Sequence, residues 1–246
     1  MLLDVLAGNI DGDLHHPPPA ETPYLDAARQ EPGQLRIALS WSIPFSGAPA
    51  KLDPAVRDQV EGVAKALSDS GHRVEPVDVK WGLVGVGFLP RSMGGIREWA
   101  GRVPDPSLLD PRTRHNARNG RVLGSAAGLG IARGVEPLLH RHFYKLFKGY
   151  DLILTPTTAQ PPLPVGAIDG LSDWETDKRI VAACPYAWPW NVIGWPGISV
   201  PAGFVEGLPV GAQMLGAANS ESLLISTAAQ LEGVLRWHER TPPPAI

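Results

Sequence analysis

Asp11, Asp13, His15 and His16 crowd one loop, and all four are side-chain types that ligate metals. The loop is Pro-rich, and coordination needs a rigid frame that orients each ligand, so no metal site is expected there. His140 and His142 lie two residues apart on a predicted helix, hence on different faces, whereas a helical metal pair needs a spacing of three or four. The pattern makes His140 exposed and His142 half-buried. Asp169, Asp173 and Asp177 recur every four residues, the spacing of a solvated face. Cys184 stands before Pro185 with neither a base nor a positive field in view, which suits a buried, inert thiol and not a nucleophile. The segment "GSAAG", residues 124–128, sets Ser125 among glycines but lacks the Gly-x-Ser-x-Gly spacing and the preceding strand of a hydrolase elbow, so Ser125 is read as a packing residue. Trp188, Trp190 and Trp195 are the types that fill cores and also wall apolar pockets; core packing is the favoured reading. None of these groups assembles a nucleophile, a base and an oxyanion site, and none calls for a cofactor.

These side chains need a scaffold, and composition bounds it. A chain of 246 residues, 43% of them hydrophobic, can bury a sizeable core as one large domain or two small ones. The formal net charge of -3 leaves no basic field to gather phosphates, and Arg and Lys read as scattered, not clustered, so nucleic acid is not an expected partner. No apolar run approaches the roughly 18 residues of a membrane span. One cysteine excludes an internal disulfide framework. The expectation is a cytoplasmic chain with no membrane partner.

Along the chain, "MLLDVLAG" places Leu2, Leu3 and Leu6 on a helical stripe that Gly8 ends, and nothing ahead of Met1 caps it, as if the chain began inside an element. Residues 9–32 are Pro-rich and unperiodic, an extended connection. "QLRIALSW" alternates as a strand; Asp53 and Pro54 then open a helix with Val56, Val60, Val63, Ala64 and Leu67 at helical spacing; "HRVEPVDV" is a second strand. This is a crossover unit that feeds a parallel pair. Residues 81–149 are mostly helical, ending in a helix with Leu138, Leu139, His142, Phe143, Leu146 and Phe147 on one side. Leu152 to Leu154 form a short buried strand closed by Pro156. "GISVP" and "LPVGAQML" flank a turn at "FVEG" as a hairpin, Ser220 caps a last helix, and residues 241–246 are a tail.

Taken in order, "LLDVLAG", "LRIALSW" with its helix, "YDLILTPTTAQPPLPVG" and "WNVIGWPGISVPAGFVEGLPVGAQMLG" with the helix "SESLLISTAAQLE" resemble the C-terminal portion of the amidase signature family. These are serine hydrolases of amide carbon–nitrogen bonds. The most specific element is the strand ending in Thr-Pro-Thr, followed later by Asn-x-x-Gly-x-Pro-x-x-x-x-Pro-x-Gly. The resemblance implies an α/β layered fold over residues 1–246: a mixed, mostly parallel sheet flanked by helices and incomplete at its N-terminal side. It implies that Thr155, Pro156, Asn191 and Gly194 lie near the substrate pocket and that Gly194 and Pro196 fix a tight entry into the hairpin strand. Gly197, Ser199 and Ala202 would keep that strand slim, and Gly203 and Gly207 would frame the hairpin turn.

The family's nucleophilic Ser, second Ser and Lys belong to a segment without counterpart in these residues, since no Gly-Gly-Ser-Ser-Gly-Gly loop occurs. The resemblance therefore implies a chain that is inert alone, whether a truncation, a cut domain or half of a split enzyme. Its partners would be a small-molecule amide, once completed, and a complementary chain or a second copy. The rival expectation is a non-catalytic binding or assembly subunit built on the same scaffold.

Overall fold

The computed structural model describes residues 1–13, 16–44 and 49–240; His15 and the expected tail at 241–246 fall outside them. Helix α1 (Leu2–Leu6) is anchored at Asp4, whose carboxylate accepts from the Tyr24 backbone N–H at 2.5 Å. That N–H opens α2 (Tyr24–Ala27), a single turn inside the stretch expected to be wholly extended. The turn forms because Pro23 precedes it at the cap and Asp4 satisfies two of its free N–H groups.

Strand β1 (Arg36–Leu39), helix α3 (Pro54–Asp69) and strand β2 (Arg73–Pro76) form the crossover unit, with β1 and β2 parallel. Asp53 caps α3 by accepting from Ala55 N–H at 2.8 Å, and the five expected apolar positions are buried. Three helices follow: α4 (Val84–Ala100), α5 (Pro111–Leu123) and α6 (Ala126–Leu146). Strand β3 (Leu152–Pro156) is wholly buried; α7 (Asp173–Ala183) and the short α8 (Pro189–Ile193) lead to the hairpin β4 (Gly197–Val205) and β5 (Leu208–Gly216), and α9 (Glu221–Leu235) closes the order.

The sheet runs β2-β1-β3-β5-β4. β1 is parallel to β2 and β3, while β5 is antiparallel to β3 and β4, so only β5 runs against the others. Alternation along each strand feeds two cores. Ile37, Leu39, Leu152, Leu154 and Met214 face α3 and α9, meeting Val60, Leu67, Leu224 and Leu231. Ala38, Ile153 and Leu215 face the other way, onto Trp81, Leu139, Phe143, Trp190 and Trp195. The tryptophans are thus core: Trp190 packs edge-on to Phe143 at 5.0 Å between centroids, and its indole N–H donates to Gly216 O at 3.0 Å.

Several local expectations change. His140 is half-buried, stacked on Trp195 and bonded to Ile193 O at 2.9 Å, whereas His142 is exposed beside Lys80 O. Leu138 is also exposed, because the buried stripe of α6 runs through Ala132, Leu139 and Phe143, one step around the helix. Asp177 accepts from Arg112 Nε at 2.8 Å and Asp173 meets His115 at 3.4 Å, so these acids join α7 to α5 and do not form a merely solvated face. Ser125 caps α6 by accepting from Gly128 N–H at 3.3 Å, a capping role in place of packing. Gly203, with φ +149°, sits at a register shift in β4 and not in the turn; the two turn residues are Glu206 and Gly207, at φ 50° and +79°.

Candidate functional site

The carboxyl ends of β1 and β3 carry a run of small hydroxyl residues, the position where open α/β sheets place ligands. At the end of β1, Ser40 is fully buried, its N–H donating to Leu154 O at 2.9 Å. Ser42 Oγ donates to Val79 O at 2.7 Å and lies 2.8 Å from Ser40 Oγ, so both hydroxyls are spent on tying this strand end to the segment that leads into α4.

At the end of β3, Thr155 has no exposed surface and Pro156 is buried. The Thr155 hydroxyl donates to Pro156 O at 3.0 Å and accepts from Gln213 Nε2 at 3.0 Å; the same amide donates to Tyr186 O at 2.8 Å. Gln213, paired across β5 with both Thr155 and Ser199, thus joins three strands and the loop before α8. Tyr186 in turn donates to Trp41 O at 2.9 Å, and burial pushes its phenol well above the usual range. A buried amide between apolar neighbours in "VGAQML" is the sequence signal for Gln213, since such a group must find partners.

Beyond Pro156 the chain emerges. Thr157 Oγ1 and Ser199 Oγ lie 2.7 Å apart at the rim of a hollow of about 360 Å³, lined also by Thr158, Gln160, Ala183, Cys184 and Gly211. A methyl on Gly211 would stand 2.9 Å from Thr157 Oγ1 and 3.0 Å from Ser199 Oγ, so glycine permits that approach. Cys184 is half-buried there, and desolvation raises its thiol above the usual value, away from thiolate chemistry.

Asn191 and Gly194 belong to a second hollow of about 380 Å³, with Arg91, Leu129, Arg133, Glu136, Val192 and Ile193. Gly194 takes the left-handed conformation, φ 73°, that ends α8, its N–H donating to Trp190 O at 2.8 Å. Arg91 holds this wall by donating to Val192 O at 2.7 Å and pairing with Glu136. The four residues expected near a pocket are therefore divided: Thr155 and Pro156 are enclosed under the first hollow's rim, while Asn191 and Gly194 are exposed in the second.

Among the described residues no serine hydroxyl hydrogen-bonds a lysine amine or a histidine ring, and no three His, Cys, Asp or Glu side chains gather as a metal cluster. Among the described residues no helix is long and apolar enough to cross a membrane.

A family model described as Amidase matches residues 1–225. AmiA2 of Mycobacterium tuberculosis, which carries a provisional amidase name, is 45% identical over 244 residues, 98% of this chain and 50% of the relative. The 6-aminohexanoate-cyclic-dimer hydrolase of a Pseudomonas species is 27% identical over 276 residues, 98% of this chain and 52% of the relative. A solved structure of a 6-aminohexanoate cyclic dimer hydrolase with substrate superposes with a TM-score of 0.80 at 26% identity, over 98% of this chain and 53% of that one. A bacterial aryl acylamidase superposes at 0.70 with 18% identity, covering 96% of this chain and 51% of the other, a likeness of fold. The chain spans about half the length of the curated relatives it matches.

Proposed function

This chain belongs to the amidase signature family, and from that premise we propose that it is the C-terminal portion of an amidase that hydrolyses the carbon–nitrogen bond of a small-molecule amide. The observation that carries the proposal is the match of the family model across residues 1–225, in company with a TM-score of 0.80 against a substrate-bound hydrolase. In this proposal the chain supplies strands, outer helices and part of the pocket wall. The Ser nucleophile, second Ser and Lys come from polypeptide outside these residues. Backbone N–H groups of that polypeptide would hold the oxyanion, and its Ser–Lys relay would return the proton to the leaving amine.

Within this chain the proposed substrate-facing groups are Asn191 and Gly194 in one hollow, while the strand end Thr155–Pro156 lies beneath the rim of the other. Thr155 and Pro156 act through position: their enclosed, hydrogen-bonded backbone fixes where Thr157 emerges. Asn191 offers an amide on the first turn of α8, and Gly194 leaves the adjoining wall free of a side chain.

The test has two arms. Purified alone, the chain hydrolyses neither aryl nor alkyl amides; turnover abolished by a serine-directed reagent would overturn the proposal. Co-expressed with a polypeptide that carries the family's Lys and Gly-Ser-rich loop, it co-purifies and hydrolyses amides, and failure to associate removes the split-enzyme version. A non-catalytic docking subunit is the second reading. It is favoured by α1, where Leu2, Val5 and Leu6 are 73%, 77% and 72% exposed and no residue is buried. A monodisperse monomer with no affinity for the complementary polypeptide would count against it.

A further inference from the structure

The net charge of -3 conceals a partition. Residues 81–150 hold eleven Arg and Lys against four Asp and Glu, whereas the rest of the chain holds eleven against twenty-one. That surplus sits on α4, α5 and α6 and their connections, and it is concentrated further. One hollow of about 380 Å³ between α4 and α5 is lined by Arg97, Arg114, Arg118 and Arg121, with Ala100, Pro106, Leu109 and Ala117 among its apolar surfaces. Among the described residues no acidic side chain lines it.

The four arginines are not consumed by the fold. Among the described residues none of them ion-pairs with a carboxylate, although the acids of the neighbourhood are all engaged elsewhere: Glu98 with Arg102, Asp105 with Ser107 and Asp110 at the cap of α5. Arg114 is oriented by two backbone carbonyls, Ser107 O at 2.8 Å and Leu109 O at 2.6 Å, which leave its charge uncompensated. Close approach of α4 and α5 brings the set together, and Gly120 is what permits it: a methyl there would stand 2.3 Å from Met93 O. Like charges in one concavity repel, and a concave wall focuses their field. A guanidinium presents a planar fork of donors that matches a carboxylate or phosphate in two-point contact.

We propose that this four-arginine hollow between α4 and α5 is a binding site for a small molecule bearing a multivalent oxyanion, with the apolar surface of Ala100, Leu109 and Ala117 receiving its hydrocarbon part. The volume lies in the range of small-ligand pockets, roughly 300–1,000 Å³. The proposal rests on charge, shape and geometry alone and is independent of the amidase proposal. Phosphate and polycarboxylate share the recognising chemistry, and the probes separate them.

Isothermal titration of the full chain with inorganic pyrophosphate and, separately, with citrate is the test, in about 150 mM salt so that loose surface attraction is screened. Saturable one-to-one binding of at least one probe is expected, with a thermal midpoint that rises and levels off as the probe is added. The double variant Arg118→Gln/Arg121→Gln should weaken binding about tenfold to a hundredfold, as expected for lost charged hydrogen bonds. Arg141→Gln/Arg236→Gln, which removes two exposed charges elsewhere, should change it less than about twofold. Ala117→Met, which fills the hollow without altering charge, should also weaken binding. Pyrophosphate binding alone assigns a phosphate-bearing ligand, citrate alone a polycarboxylate. Absence of saturation up to about 10 mM of both probes, against the micromolar-to-millimolar range of ordinary ligands, overturns the site. So does equal loss in the two double variants, or indifference to Ala117→Met.

Discussion

Gln213→Leu removes the one amide that ties β5 to Thr155 and to the loop before α8. Its Nε2 donates to Thr155 Oγ1 at 3.0 Å and to Tyr186 O at 2.8 Å, and the side chain is only 8% exposed, so water cannot replace either bond without rearrangement. A buried acceptor left without a donor costs about 1–3 kcal/mol. The Tyr186 carbonyl takes most of that penalty, because the Thr155 hydroxyl keeps its bond to Pro156 O. Burying leucine in place of the amide returns about 1–2 kcal/mol. The expected net loss is therefore about 0–2 kcal/mol, with the larger values if the loop carrying Tyr186 cannot shift to find water. Urea unfolding followed by tryptophan fluorescence reads this as a lower midpoint at unchanged slope. A second variant separates the tie from mere burial. Thr155→Val should cost about 1 kcal/mol less in the Gln213→Leu background, where only its bond to Pro156 O remains to be lost, than alone, giving a coupling of about 1 kcal/mol. A Gln213→Leu variant more stable than the wild type by over about 0.5 kcal/mol, or strict additivity with Thr155→Val, would refute the role given to this amide.

Gly203→Ala should destabilise by about 1–3 kcal/mol in calorimetry, since φ +149° is strained for alanine and its methyl would stand 2.0 Å from Gln59 Oε1; adding Gln59→Ala should recover only part, because the strain stays. Tyr150→Phe should raise the Glu75 carboxyl pKa, whose depression owes most to the Tyr150 hydroxyl donating at 2.9 Å, and carbon NMR titration reads it. A depressed carboxyl contributes stability above its unfolded value, about 4.3, and loses it as pH falls through the lower folded value. The stability gap between wild type and Tyr150→Phe should therefore be full at neutral pH and close in acid; a gap that widens in acid contradicts the assignment. Cys184 should be alkylated by iodoacetamide at pH 7.5 more slowly than free cysteine, since burial raises its thiol, and mass spectrometry that found it faster would restore it as a nucleophile candidate.

Where a side chain's fate depends on its own helix or strand, the sequence was readable. Asp53, Pro54 and the five apolar positions behind them specify α3 without outside help, and β1, β2 and β3 follow from alternation and short apolar runs. Sequence and structure part where a second element decides. His140 and His142 exchanged exposure because Trp195 and Ile193, more than fifty residues away, chose which side of α6 to cover. Asp173 and Asp177 look solvated until Arg112 and His115 arrive from α5. The resemblance puts Gly203 at the turn because a motif cannot distinguish a turn from a register shift; the one-residue offset opposite Val210 does.

The same distinction explains the uneven legibility of the candidate site. Thr155 and Pro156 stand out as a motif, yet the motif's side chains face inward, and their contribution is to hold a strand end in place. The atoms that reach solvent, Thr157 Oγ1 and Ser199 Oγ, belong to residues whose types are ordinary in any loop or edge strand, and only the register of β3, β5 and β4 sets them 2.7 Å apart. Gln213 is the link, since its backbone pairs with Thr155 on one side and Ser199 on the other and its amide holds the Thr155 hydroxyl. Loosening Gln213 should thus spread the two hydroxyls as well as lower stability, whereas Thr157→Val should remove their contact and leave the sheet intact. A Gln213→Leu structure in which Thr157 and Ser199 keep their separation would show that backbone register sets the pair without the Gln213 side chain.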